Sequence, residues 1–225
     1  MNPKRRSFLK GALATGAAGS AMLGSAGLAQ AAMQMKTNSM PTLILASDAA
    51  VEASFAAGVK AALSGSTEVT LLRTDRISPL TTVQKALQSK RPMRLVGMVD
   101  DATGELLTAM ARSAGARMTW LGQHAADASQ TRHQVISGQT AMGSALALGE
   151  QLQQDAAGFR FKAEQPFANK TALELSAARS GTTSCHWAAH LGHALMQPNA
   201  PVDAAYLPAQ SKRLEGRFVS FVIEV

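Results

Sequence analysis

Two sets of residues in this 225-residue chain have the types and spacing to do chemistry. The first lies in SGTTSCHWAAHLGHAL, residues 180–195. There His186, His190 and His193, three of the five histidines, stand beside Cys185, the single cysteine. On a helix of 3.6 residues per turn, His190 falls about 40° from His186 and His193 about 20° to its other side, so the three share one face. Histidines at i and i+4 can chelate a divalent metal, and His186 with His190 has that spacing. His193 lies about 10 Å from His186 along the axis, a strained span for one ion. The glutamate of a His-Glu-x-x-His zinc-protease motif is absent. Trp187, Leu191, Ala194 and Leu195 form the opposite side, so the same pattern also describes an amphipathic helix. The expectation is that the histidines face water while Trp187 packs inward, with a metal site on His186 and His190 as the alternative.

The second set depends on elements that must place it. Short apolar runs at 42–46, 68–73, 93–99 and 117–121 read as strands. Stretches 48–63, 78–88 and 102–114 between them carry helical spacing. This alternation predicts an α/β fold, a mostly parallel sheet with helices on both faces. In such sheets ligands bind beyond the carboxyl ends of the strands. Those ends lead into Asp48, Asp75 and Asp100 and then into the stretch 123–133, which holds His124, Asp127, Arg132 and His133. Carboxylates with an imidazole on one rim could share acid–base work or hold a cation, and Arg132 with the histidines could receive an anion. Each acid also precedes a helix, where Asp is a favoured N-cap. Asp101 reads as the cap before Ala102, which leaves Asp100 the freer of the two. The second half is less regular, with helices expected at 140–153 and 184–197 and no clear period over 159–169. Arg217–Val225 alternates cleanly and predicts a half-buried antiparallel edge strand. Arg179–Ser184 leads into the histidine helix, where Thr183 or Ser184 serves as cap or, with free N–H groups, as an anion cradle. P-loop, G-x-S-x-G, G-x-G-x-x-G and C-x-x-C patterns are absent, so no nucleophile or nucleotide site is indicated.

The N-terminus sets the compartment. Lys4-Arg5-Arg6-Ser7-Phe8-Leu9-Lys10 is followed by an uncharged, Ala- and Gly-rich run to Leu28 and by Ala29-Gln30-Ala31. A charged start, an apolar middle and a small-residue exit make a secretory signal. With paired arginines before Phe-Leu-Lys and a weakly apolar core, it resembles a twin-arginine (Tat) signal, with Lys4 in place of the usual Ser or Thr. The resemblance covers residues 1–31 and implies export to the periplasm of a chain already folded, often one associated with a cofactor. A single cysteine, hence no internal disulfide, agrees with folding in a reducing compartment. Without residues 1–31 the 22 basic residues fall to 18 against 15 acidic, a net charge of +3. No basic stripe interleaved with aromatics follows, which argues against nucleic acid as partner. No later apolar run is long enough to span a bilayer.

The domain reading is therefore a signal at 1–31, a flexible lead at 32–40 and one α/β domain at 41–225. The mature domain resembles no family. The first functional reading is non-enzymatic: a periplasmic small-ligand-binding protein, or an accessory partner of an exported redox or metalloprotein system. Its ligand residues would be Asp48, Asp75, Asp100, His124, Arg132 and His133. The alternatives are a metal-dependent or acid–base hydrolase on the strand-end carboxylates, and a metal or haem carrier on the histidine helix. A divalent metal is the one cofactor these side chains suggest. If the arginine pair directs export, replacing Arg5 and Arg6 with Lys should retain the protein in the cytoplasm, read by cell fractionation. Unchanged export in cells lacking the Tat translocon would remove the assignment.

Overall fold

The run Thr42-Leu-Ile-Leu-Ala46 is buried at every position, as a strand covered on both faces must be. It is β1 (Thr42–Ala46) in a computed structural model that describes residues 40–63, 67–75, 78–89, 91–137, 142–155, 157–164, 171–179, 184–198 and 211–225. The proposed signal 1–31, residues 32–39 of the lead, Thr183 and positions 201–210 lie outside these residues. In chain order β1 is followed by α1 (Asp48–Glu52), α2 (Phe55–Ala62), β2 (Val69–Arg73), α3 (Ser78–Gln88), β3 (Arg94–Asp100) and α4 (Asp101–Ser113). Then come β4 (Arg117–Ala126), β5 (Thr131–Ser137), α5 (Met142–Gln154), β6 (Phe159–Glu164), β7 (Thr171–Ala177), α6 (Trp187–Met196) and β8 (Gly216–Glu224).

The fold is α/β, built on one eight-stranded sheet of order β2-β1-β3-β8-β4-β5-β6-β7. The sheet is mixed rather than mostly parallel: β1 pairs in parallel with β2 and β3, and β5 with β6, while the other neighbours are antiparallel. Strands β1 to β4 do run in one direction, as their alternation with helices predicts. However, β8 inserts antiparallel between β3 and β4. The expected edge strand is therefore a central one. Its polar alternate, Ser220, is fully buried, which an edge position with one wet face would not require.

Alternation along the strands divides the core in two. Ile44, Ala46, Val96, Met98, Trp120 and Phe161 face a layer made by α1, α2, α5 and α6. Leu43, Leu45, Leu95, Val99, Phe221 and Ile223 face α3 and α4. The second layer reaches across β1, β3 and β8, with Leu72 of β2 and Met118 of β4 at its margins. Among the described residues no helix covers that face of β5 to β7 or of β4 beyond its bulge, where Gln123, Arg132, Gln134, Ile136, Arg160 and Glu174 are exposed. No described helix is long and apolar enough to cross a membrane.

The helix expected over 48–63 breaks at Ser54, whose φ of 69° is left-handed, and α2 departs in a new direction from there. It crosses α6 with glycines at the contact. A Cβ on Gly58 would stand 2.0 Å from the Ala189 carbonyl oxygen, and one on Gly192 would stand 2.4 Å from that of Phe55. Both obstacles are backbone, so a methyl group cannot be absorbed by a rotamer change. Gly58→Ala should therefore cost about 2 kcal/mol through forced separation of the helices, despite alanine's better helix propensity. Urea unfolding would measure it, and an unchanged or raised midpoint would show that the crossing has slack.

Candidate functional site

The placement of the predicted residues starts from a β-bulge. Met118 on β4 pairs with Ile223 on β8, and the next paired residue, Trp120, with Val222. Thr119 is the extra residue, and its Oγ1 reaches the Val222 carbonyl at 3.4 Å. Side chains alternate with period two, so one inserted residue exchanges the faces of everything beyond it. Trp120, Gly122 and His124 consequently point toward α6, and Gln123 and Ala125 toward the open face. The antiparallel β4/β5 register sets His133 opposite His124 and Arg132 opposite Ala125.

The two histidines belong to strands, not to a rim loop, and both are buried. Trp120 Nε1–H donates to Ser220 Oγ at 2.8 Å, and Ser220 Oγ lies 2.6 Å from His124 Nε2. His124 Nδ1 lies 2.8 Å from His133 Nδ1. One assignment uses every donor in order: Ser220 accepts from Trp120 and donates to His124, which then donates from Nδ1 to His133. His133 keeps its proton on Nε2, which has no hydrogen-bond partner among the described residues. The Trp187 ring closes over the pair, with centroids 5.6 Å from His124 and 5.0 Å from His133. Burial, and then the neighbouring His133, push the His124 pKa well below its ordinary value, and burial alone takes His133 to about 3. Both rings are neutral near pH 7, so neither attracts an anion by charge.

The predicted acids are engaged at helix starts or in an ion pair, and one of them is an N-cap. Ser47 caps α1, Asp75 accepts the Asp48 N–H at 2.7 Å, and Asp48 pairs with Arg73 at 2.7 Å. Asp100, not Asp101, is the cap of α4: its carboxylate accepts from the Thr103 N–H at 2.9 Å and from Thr103 Oγ1 at 2.7 Å. Partial burial raises this carboxyl, but the bonds it accepts outweigh that and hold it below the ordinary value. Asp101 is the acid left facing outward.

The histidine helix is likewise not a wet surface. Every residue of α6 is buried, including His190 and His193, because α2 and α5 both pack on it. His186 is half-buried. Ser184 Oγ donates to Asp155 and accepts the His186 N–H, and His190 Nε2–H donates to Asp155 Oδ1 at 3.2 Å. Burial raises the Asp155 carboxyl, but the His190 and Ser184 bonds bring it below its usual value. Burial, and next His190, lower His193. Among the described residues no three His, Cys, Asp or Glu side chains are grouped to hold a metal. His186 and His190, the pair of the alternative metal reading, have ring centroids 6.4 Å apart.

What the structure offers instead is a cleft of about 850 Å³ on the uncovered half of the sheet. Register builds its floor. Arg217 on β8 pairs with Ala125, Ala125 with Arg132, Arg132 with Arg160 and Arg160 with Ser176, one row across five strands. The adjoining row carries Gln123, Gln134, Lys162 and Glu174, and α4 contributes Asp101 and Glu105 at one side. Of the predicted ligand residues Arg132 lies on this floor, and His124 and His133 border it from beneath with their rings turned to α6. Asp48, Asp75 and Asp100 do not line it. Arg160, Lys162 and Arg217 are absent from the sequence expectations, although Phe159-Arg-Phe-Lys-Ala-Glu164 alternates apolar and charged residues and was legible as a strand with one charged face.

The buried histidines have a measurable consequence. Their folded pKa values lie below the unfolded value of 6.5, so below pH 6.5 the unfolded chain takes up protons that the folded one refuses. Stability should be full above pH 6.5 and fall as the pH drops toward 3, by up to about 1.4 kcal/mol per pH unit for each histidine. The carboxylates lose their contribution only below about 3.8, so the range from 6.5 to 4 reports histidines. His133→Leu should flatten this limb in pH-dependent urea unfolding. A limb of unchanged slope would mean that His133 titrates normally in the fold. No protein-family model, curated protein or solved structure matches this chain.

Proposed function

We propose that the chain is an exported, periplasmic protein that binds a small molecule in the cleft on the open half of its sheet. The observation that carries this reading is the asymmetry of the helix layers. Both faces of β1, β3 and β8 are covered, whereas one face of β5 to β7 and of the second half of β4 is left as a polar concavity of about 850 Å³ among the described residues. That volume suits a small ligand. The Tat-like signal supports the compartment. The hydrolase alternative draws little support from the acids named for it, since Asp75 and Asp100 bond helix N-terminal N–H groups and Asp48 is paired with Arg73. The carrier alternative is weakened by the burial of α6, and among the described residues no three His, Cys, Asp or Glu side chains are grouped to hold a metal.

A thermal-shift panel of small molecules tests the reading. A compound at about a hundredfold over its Kd adds about 2.7 kcal/mol, several degrees in Tm. Ala125 sits mid-floor, so Ala125→Trp should fill the cleft and abolish the shift while the variant still melts cooperatively. No stabilising compound across the panel, or equal shifts in the variant, would sink the proposal.

A further inference from the structure

We propose that one end of this cleft is a subsite for a dianionic oxyanion, the head group of a phosphate monoester, held by Arg132, Arg160 and Arg179. The inference rests on the cleft being the ligand site and adds the ligand's chemical class. Arg132 and Arg160 are direct register partners on parallel β5 and β6, and like charges directly opposite each other destabilise a sheet. Among the described residues no carboxylate lies within 4 Å of Arg160. A cavity of about 390 Å³ opens beside the pair, lined also by Arg179, Gln130 and Ser176 and, among the described residues, by no acid. It shares Arg132, Arg160 and Ser176 with the larger cleft, so the two are continuous.

The nearest acid is Asp127, 3.4 Å from Arg132 and close enough to Arg179 to be lowered by its charge. Asp127 is pinned in the β4–β5 turn: its Oδ1 accepts from the Ser129 N–H, Ser129 Oγ and the Gln130 N–H, each at 2.9 Å. It cannot swing to Arg160 without giving up those bonds. Three guanidinium charges against one carboxylate leave two positive charges. A dianion neutralises both, whereas a single carboxylate fills one arginine fork and leaves a charge unmatched. Ser176 and Gln130 supply neutral hydrogen-bonding groups on the same wall. The body of the ligand would extend along the cleft past Gln123 and Gln134.

Calorimetric titration of the purified full chain with phenyl phosphate, succinate and benzoate tests this. Phenyl phosphate should bind more tightly than benzoate by at least about tenfold, the loss expected for one charge-assisted bond. Arg160→Gln should weaken phenyl phosphate by a similar factor while raising Tm, because it relieves the repulsion with Arg132. A damaged fold would lower both, so the opposed changes separate recognition from folding. Arg160→Lys should recover only part of the affinity. Equal binding of phenyl phosphate and benzoate, tighter binding of succinate, or no effect of Arg160→Gln would each overturn the proposal. If panel compounds bind and Ala125→Trp blocks them while Arg160→Gln changes nothing, the oxyanion subsite fails and the cleft reading stands. If Arg160-dependent phenyl phosphate binding survives Ala125→Trp, the subsite stands and the wider cleft reading fails.

Discussion

Thr119 sits unpaired between Met118 and Trp120, and what both faces of the sheet present beyond it follows from that one residue. Without it, Trp120, Gly122 and His124 would turn to the α3/α4 side and Gln123 and Ala125 into the α6 layer. The bulge sends the aromatic and imidazole rings inward, where Ser220 and Trp187 await them. It sends the amide and the small side chain outward, where they floor the cleft. Because β5 is registered on β4, and β6 and β7 follow in turn, the choice passes to Arg132, Arg160 and Ser176. A backbone irregularity of one residue thus separates a neutral, dry polar network from a charged, wet row one position away along the same strands.

The two layers solve opposite electrostatic problems. Inside, three hydrogen bonds in series link Trp120, Ser220, His124 and His133 without any net charge, which is how polar groups tolerate low dielectric. The arrangement is closed toward Ser220 and open only at His133 Nε2. Outside, arginines from β5, β6 and β8 share one row on a face that no described helix shields. A sheet selected for stability alone would alternate signs across that row. Lys162 shows the local alternative, with Glu164 beside it at 2.5 Å. Along this row Arg132 has Asp127 at 3.4 Å, whereas Arg160 has no carboxylate within 4 Å among the described residues, so the row falls short of the pairing that stability alone would favour.

Much of the architecture was legible. TLILA, short and with no polar alternate, reads as a strand covered on both faces, and Ser78–Gln88 has its proline in the first turn, where no bond is lost. What failed to show was long-range pairing. Alternation in β8 identifies a strand but not its neighbours, and a buried Ser220 is acceptable only because Trp120 and His124, about a hundred residues earlier, bond to it. The histidines of α6 read as a polar face because helical periodicity takes polarity as exposure. A neutral imidazole can be buried, and Gly192 lets α2 approach the helix closely. Arg132 and Arg160 stand 28 positions apart in sequence and become neighbours only through the parallel β5/β6 pairing. Their conjunction has no local signature at all.

The central position of β8 bears on how the sheet comes together. Its partners β3 and β4 end some ninety residues or more before it begins, so neither can be completed by contacts close in sequence. Closing loops of that length makes folding slow compared with that of a helical bundle of equal size. Until β8 arrives, β3 and β4 each have a free edge rich in apolar residues, and such edges invite pairing with other chains. The half-made molecule is therefore at its most adhesive in the middle of the sheet, where the finished one is best protected. Holding nascent chains apart until the last strand docks becomes a kinetic requirement of this topology.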